Sequence, residues 1–184
     1  MTEKFLVFAL ISSLFFTACD KDEPEIPPEV ELITTLIYTL TPMDGGATVT
    51  LSFADSDGDG GIDPTIMGGV LDANTNYTGT LDLLNETESP AESITEEIAE
   101  EDEEHQFFFT STISDLVVAY NDQDSDGNPI GLSSTLMTGG AASGSITIVL
   151  KHEPDKSADG VSGGDVANAG GETDIEVSFP IEVQ

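Results

Sequence analysis

Ile175-Glu176-Val177-Ser178-Phe179-Pro180-Ile181-Glu182-Val183 sets an apolar side chain at every second position for nine residues. Successive side chains of a strand point to opposite faces, so the stretch reads as a strand with one face in a core and the other in water. Pro180 cannot donate to a ladder, which predicts an edge or bulged position for this strand. The same alternation runs through Val49, Leu51 and Phe53 and through Ile146, Ile148 and Leu150. Further strands are expected near 30–41, 76–85, 106–113, 115–121 and 132–138. Eight or so strands, rich in Thr and β-branched residues and separated by Gly and Asp turns, predict an all-β fold. The expected architecture is a single antiparallel β-sandwich, immunoglobulin-like, over residues 30–184.

One short acidic helix is expected within it. Ser89-Pro90-Ala91-Glu92 offers an N-cap serine, a proline at the first helical position and a capping-box glutamate. Ala91, Ile94 and Ile98 then form a narrow apolar stripe that His105 extends by one heptad. From Glu86 to Glu104 ten of nineteen residues are acidic and none is basic, so the helix must be packed down or neutralised by cations. Residues 153–172 form a Gly/Asp-rich loop too long for an ordinary turn. Met67-Gly68-Gly69 and Gly139-Gly140-Ala141-Ala142 read as turns.

The N-terminus carries Lys4, an apolar run from Phe5 to Phe16, and Thr17-Ala18 before Cys19, the chain's single cysteine. A basic start, an apolar stretch too short to span a bilayer and small residues before a thiol describe an export signal over residues 1–18. The segment resembles the lipobox of bacterial lipoproteins, with Phe16 in place of the usual Leu. The resemblance implies that Cys19 is acylated and becomes the first residue of the mature protein. Asp20-Lys21-Asp22-Glu23 resembles the Lys-then-two-acids signal of Bacteroidota surface lipoproteins, which makes Lys21, Asp22 and Glu23 the expected export signal to the outer face of the outer membrane. Residues 19–29 form an acidic, proline-rich tether.

Four Lys, no Arg and 36 acidic residues give a net charge of −32. Such a surface repels nucleic acid and anionic headgroups and attracts cations. It equally fits a surface adapted to salt or solubility. One acylated cysteine leaves no disulfide within the chain.

Two loops share the spacing Asp-x-Asp-x-Asp-Gly: Asp55-Ser56-Asp57-Gly58-Asp59-Gly60, with Asp63 following, and Asp122-Gln123-Asp124-Ser125-Asp126-Gly127. Alternate carboxylates on a tight loop converge on a point, and the glycine lets the backbone turn around a hard cation. The likeness to EF-hand calcium loops stops after six positions, since Ile66 and Ser133 stand where the bidentate Glu belongs. A shorter calcium loop is the expectation for each, against the plain alternative of acidic surface turns.

The two histidines, His105 and His152, each adjoin a carboxylate. If 106–113, 115–121, 132–138 and 145–152 form a meander, His105, the second Asp loop and His152 meet at one pole, with Glu101 reaching it from the helix. Imidazole with carboxylates suits zinc or another transition metal, while two hydrogen-bonded strand-end histidines are the plainer alternative. Catalysis finds no support in the residue pattern: no strained nucleophile turn, no phosphate-cradling loop, and carboxylates too abundant for any pair to stand out.

Along its length the chain resembles small surface lipoproteins of Bacteroidota, on FFTACDKDE, SFADSDGDGG, LLNETESPAESITEE, EEHQFFF, KHEP and AGGETDIEV. Some of these carry the label type 1 periplasmic binding fold superfamily, which implies two α/β lobes and conflicts with the period-two pattern. The resemblance implies no ligand and associates such proteins with outer-membrane nutrient receptors. Two functions are therefore expected: a non-enzymatic, lipid-anchored protein that binds cations and assists nutrient or metal capture, or a structural or adhesive surface protein with no specific ligand.

Overall fold

The computed structural model describes residues 31–58 and 61–184. Backbone pairing follows the alternation. Strands β1 (Thr35–Pro42), β2 (Val49–Ala54), β3 (Thr65–Met67), β4 (Gly69–Leu71), β5 (Asn76–Asn85) and β6 (Glu92–Ser93) precede helix α1 (Ile94–Glu100). Strands β7 (His105–Ser111), β8 (Val117–Tyr120), β9 (Ser133–Met137), β10 (Ala142–His152) and β11 (Glu172–Val183) follow it. One sheet has the order β3-β2-β1-β5-β9-β8 with β6 added beside β5, and the other β4-β11-β10-β7. All pairings are antiparallel except β4 with β11. The chain is a two-sheet, largely antiparallel β-sandwich with one short α-helix.

The inner faces meet on Leu36, Tyr38, Leu51, Leu83, Phe107 and Phe179, all fully buried. Each such side chain contributes roughly 1.5–3 kcal/mol through removal from water. A second, smaller cluster lies outside the four-stranded sheet, where Phe108 and Val149 are covered by Val161 and Ala169. The long loop supplies that cover, and Gln106 Nε2 donates to the Val161 carbonyl at 2.8 Å.

Four local expectations are corrected. The meander does not form: β7 pairs with β10 in one sheet, while β8 pairs with β9 in the other. Helix α1 is capped by Ser93, whose side chain accepts from the Glu96 amide, and not by Ser89. The chain up to Ser93 is drawn into β6 on the end of β5, which delays the helix and leaves Ala91 outside it. His105 lies on β7, beyond the helix. Met67-Gly68-Gly69 is a switch between sheets, from β3 to β4, rather than a turn. At Gly68 an added Cβ would lie 2.0 Å from the Pro180 carbonyl oxygen, so only glycine fits the crossing. β4 begins pairing at Ile181, so Pro180 adjoins the end of that ladder. The bulge of β11 falls elsewhere, opposite Leu150 and Lys151.

Candidate metal centre

Three chain segments converge at one end of the sandwich: the residues leading into β1, the paired ends of β7 and β10, and the bulge of β11. Because β7 and β10 run antiparallel, the first residue of one faces the last residue of the other, and His105 is paired directly with His152. Their ring centroids lie 4.7 Å apart, tilted by 39°. The sequence expectation that the two histidines meet is met, through a different pairing from the one that motivated it.

The bulge adds a carboxylate to this pair. Leu150 opposes Ile175 and Lys151 opposes Thr173, which leaves Asp174 without a partner on β10. Simple alternation from Ile175 would turn Asp174 outward with Glu176. A bulge re-aims a side chain, and His105, His152 and Asp174 each offer a ligand atom within 4.8 Å of the others. Glu31, four residues before β1, brings a second carboxylate. Its Oε1 lies 3.2 Å from His105 Nε2, at an angle outside hydrogen-bond geometry, since Nε2 has no hydrogen-bond partner.

His105 is fully buried, and the Glu31 side chain is 9% exposed. His105 Nδ1 stands 3.1 Å from the Glu101 carbonyl, so an Nδ1–H donor there leaves the Nε2 lone pair facing the carboxylates. An imidazole held by its other nitrogen is the usual arrangement for a metal ligand. Glu31 Oε2, His105 Nε2 and both oxygens of Asp174 are buried without hydrogen-bond partners. Buried polar atoms are ordinarily satisfied, and here four orphans share one cluster.

Burial and mutual proximity shift the titration of these groups. Burial pushes the Asp174 carboxyl up to about 6, with Glu31 adding to the rise and the two imidazoles opposing it. For His105, burial favours the neutral ring, but Glu31, the Glu101 carbonyl and Asp174 outweigh it and raise its pKa. Imidazole nitrogen and carboxylate oxygen together are a donor set for zinc and related ions. Two further groups have ligand spacing: Glu31, Glu101 and His105, and the outer set Glu104, His152 and Glu153.

The Asp loops behave differently. The second lies at this end, but its carboxylates are committed within the protein. Asp122 accepts from the Gly131 and Ser133 amides at 2.8 and 2.7 Å. Asp124 accepts from the Asp126 and Asn128 amides and pairs with Lys156 Nζ at 2.9 Å. Burial raises the Asp124 pKa, yet Lys156 and these amides hold it below the ordinary carboxylate value. Asp126 is exposed. The loop is thus tied down by a lysine, and Asp122, Asp124 and Asp126 do not join the histidines in any group of ligand spacing among the described residues. In the first loop, Asp57 Oδ2 accepts from the Gly61 and Ile62 amides, and Asp55 Oδ1 from the Asp57 amide. Asp63 is exposed, and Asp59 lies outside the described residues. Asp55 lines a cleft of about 380 Å³ with Glu31, Leu32, Phe53, Asp174 and Ile175, which brings this loop to the same end as the histidines. Glu101 contributes its carbonyl to His105, and its side chain is exposed.

Asp174 and Glu31 escaped the sequence reading. Asp174 sits one residue before the alternating run, and nothing in Gly171-Glu172-Thr173-Asp174 marks a bulge. Glu31 adjoins the acidic tether, where one glutamate cannot be told from its neighbours. Cys19, Lys21, Asp22 and Glu23, with the signal and tether, lie outside the described residues. No helix among the described residues is long and apolar enough to cross a membrane.

No protein-family model matches this chain, and no curated protein matches it. Among solved structures it is similar to domains 4 and 5 of the S-layer protein SbsC. That likeness covers 79% of this chain and 75% of the other, at 11% identity and a TM-score of 0.31, and it carries no argument about function.

Proposed function

We propose that this chain is a non-enzymatic, lipid-anchored surface protein of the bacterial outer membrane that binds a divalent transition-metal ion, zinc or one of its class. His105, His152 and Asp174 are the ligands, and Glu31, 3.2 Å from His105 Nε2, adds negative charge beside them. The observation that carries this reading is the set of buried atoms without hydrogen-bond partners on Glu31, His105 and Asp174 beside two adjacent, tilted imidazoles. A bound cation gives these acceptors the partner that no protein donor provides. The Cys19 lipobox and the Lys21-Asp22-Glu23 signal support anchoring and display, and the net charge of −32 supports attraction of cations. Calcium at Asp55, Asp57, Asp59 and Asp63 would stiffen the adjoining loop. Capture of a metal or metal-bearing nutrient with an outer-membrane receptor is the role such a site would serve.

The test is zinc titrated into chelator-stripped protein, followed by calorimetry and thermal unfolding. One ion per chain is expected, with stabilisation of about 2.7 kcal/mol at a hundredfold excess over Kd. The His105→Ala, His152→Ala double variant, checked for its β-sheet circular dichroism, is expected to lose both. Equal zinc uptake in that folded variant refutes the reading and leaves a structural or adhesive surface protein.

A further inference from the structure

The proposed centre is buried, yet one of its ligands is shared with a group in open water. His105 is fully buried and the His152 side chain is 12% exposed, while Glu104, whose carboxylate stands 3.7 Å from His152 Nε2, is 55% exposed. Glu153, also exposed, completes the outer group with Glu104 and His152. The backbone holds these carboxylates in place: the Glu153 amide donates to the Glu104 carbonyl at 2.7 Å, and Glu153 adopts a positive φ of 49°. His152 therefore belongs to two ligand groups, the outer one with Glu104 and Glu153 and the inner one with His105 and Asp174.

Resting on the metal-binding reading above, we infer that ions reach the buried centre through the outer group, with His152 as the ligand that passes them inward. A hydrated divalent ion is first held by the Glu104 and Glu153 carboxylates and His152. It then exchanges water and those carboxylates for His105 Nε2 and Asp174, so that its charge is never left without oxygen or nitrogen donors. The partnerless inner atoms make the second position the stable one, because only there does the ion satisfy groups that water does not reach. Only ligands are exchanged in this step. The outer group is a route and not a resting place, so its loss changes rates without changing affinity.

The competing route is the cleft on which Glu31, Asp174 and Glu176 border. Stopped-flow measurement of zinc uptake and release, with a fluorescent zinc chelator as reporter, separates the two. The variant Glu104→Gln with Glu153→Gln is compared with Glu176→Gln with Glu182→Gln, which loses the same charge and removes a carboxylate bordering the cleft. All four side chains are exposed, so the fold is retained in both. The first variant is expected to slow uptake and release together by about tenfold, the lower end of electrostatic steering effects, with Kd unchanged; the second stays within twofold of the unaltered chain. Equal slowing in the second variant overturns the inference, as does a Kd weakened tenfold in the first through faster release, which would make the outer carboxylates ligands of the bound state. Failure of the unaltered chain to take up zinc overturns the metal-binding reading itself.

Discussion

Replacing Asp174 by Asn should stabilise the metal-free protein while removing its response to zinc. The carboxyl has two oxygens with no hydrogen-bond partner, and burial beside Glu31 raises its pKa from 3.8 to about 6. At 1.36 kcal/mol per pH unit, that gap corresponds to about 3 kcal/mol against the ionised form. The side chain is only partly buried, so screening by water reduces the figure to about half, ~1.5 kcal/mol. The folded pKa lies above the unfolded one, so the fold prefers the protonated acid. The penalty is therefore complete at pH values above about 6 and fades as pH falls toward 3.8, where both states are protonated. Asn has nearly the same shape without the charge. Urea or thermal unfolding in chelator should show Asp174→Asn more stable by ~1.5 kcal/mol at pH 7.5, about 3–6 °C in Tm for a domain of this size, with the difference shrinking toward pH 4. The same variant should gain little or nothing from zinc. A variant less stable than the parent at pH 7.5, or a difference that does not change with pH, refutes the reasoning that this carboxylate is an uncompensated charge.

Three other substitutions probe the acidic loops. Lys156→Met leaves Asp124 buried without its cation and should cost about 3–5 kcal/mol in urea unfolding. Because Asp124 is held below the ordinary carboxylate value, the parent's advantage should be present above pH 4 and lost as acid protonates Asp124; a loss under 1 kcal/mol at pH 7 would show that the pair is dispensable. Calcium titration followed by thermal unfolding should distinguish the loops: Asp55→Asn is expected to remove the response, whereas Asp126→Asn leaves it intact, and the opposite pattern would move the calcium site to the second loop.

Periodicity alone determined the class of fold. A strand that buries one face must alternate, so the runs ending at Phe53, Leu150 and Val183 could be read as strands before any contact was known. Partnership could not, because alternation says which face is inward but not which strand lies beside it. Hence the expected meander gave way to pairing across two sheets. The sequence brings His105 toward His152 only through a meander that does not form; the contact comes from the antiparallel pairing of β7 with β10. Asp174 was not legible: its position depends on one unpaired residue in the β10–β11 ladder, and a bulge is decided by how two strands fit together over their whole length. The same holds for Asp124, whose spacing suggested a calcium loop until Lys156, 32 residues away, took its carboxylate. Charge and spacing are local properties of the chain, whereas which charge meets which partner in a place closed to water is a property of packing.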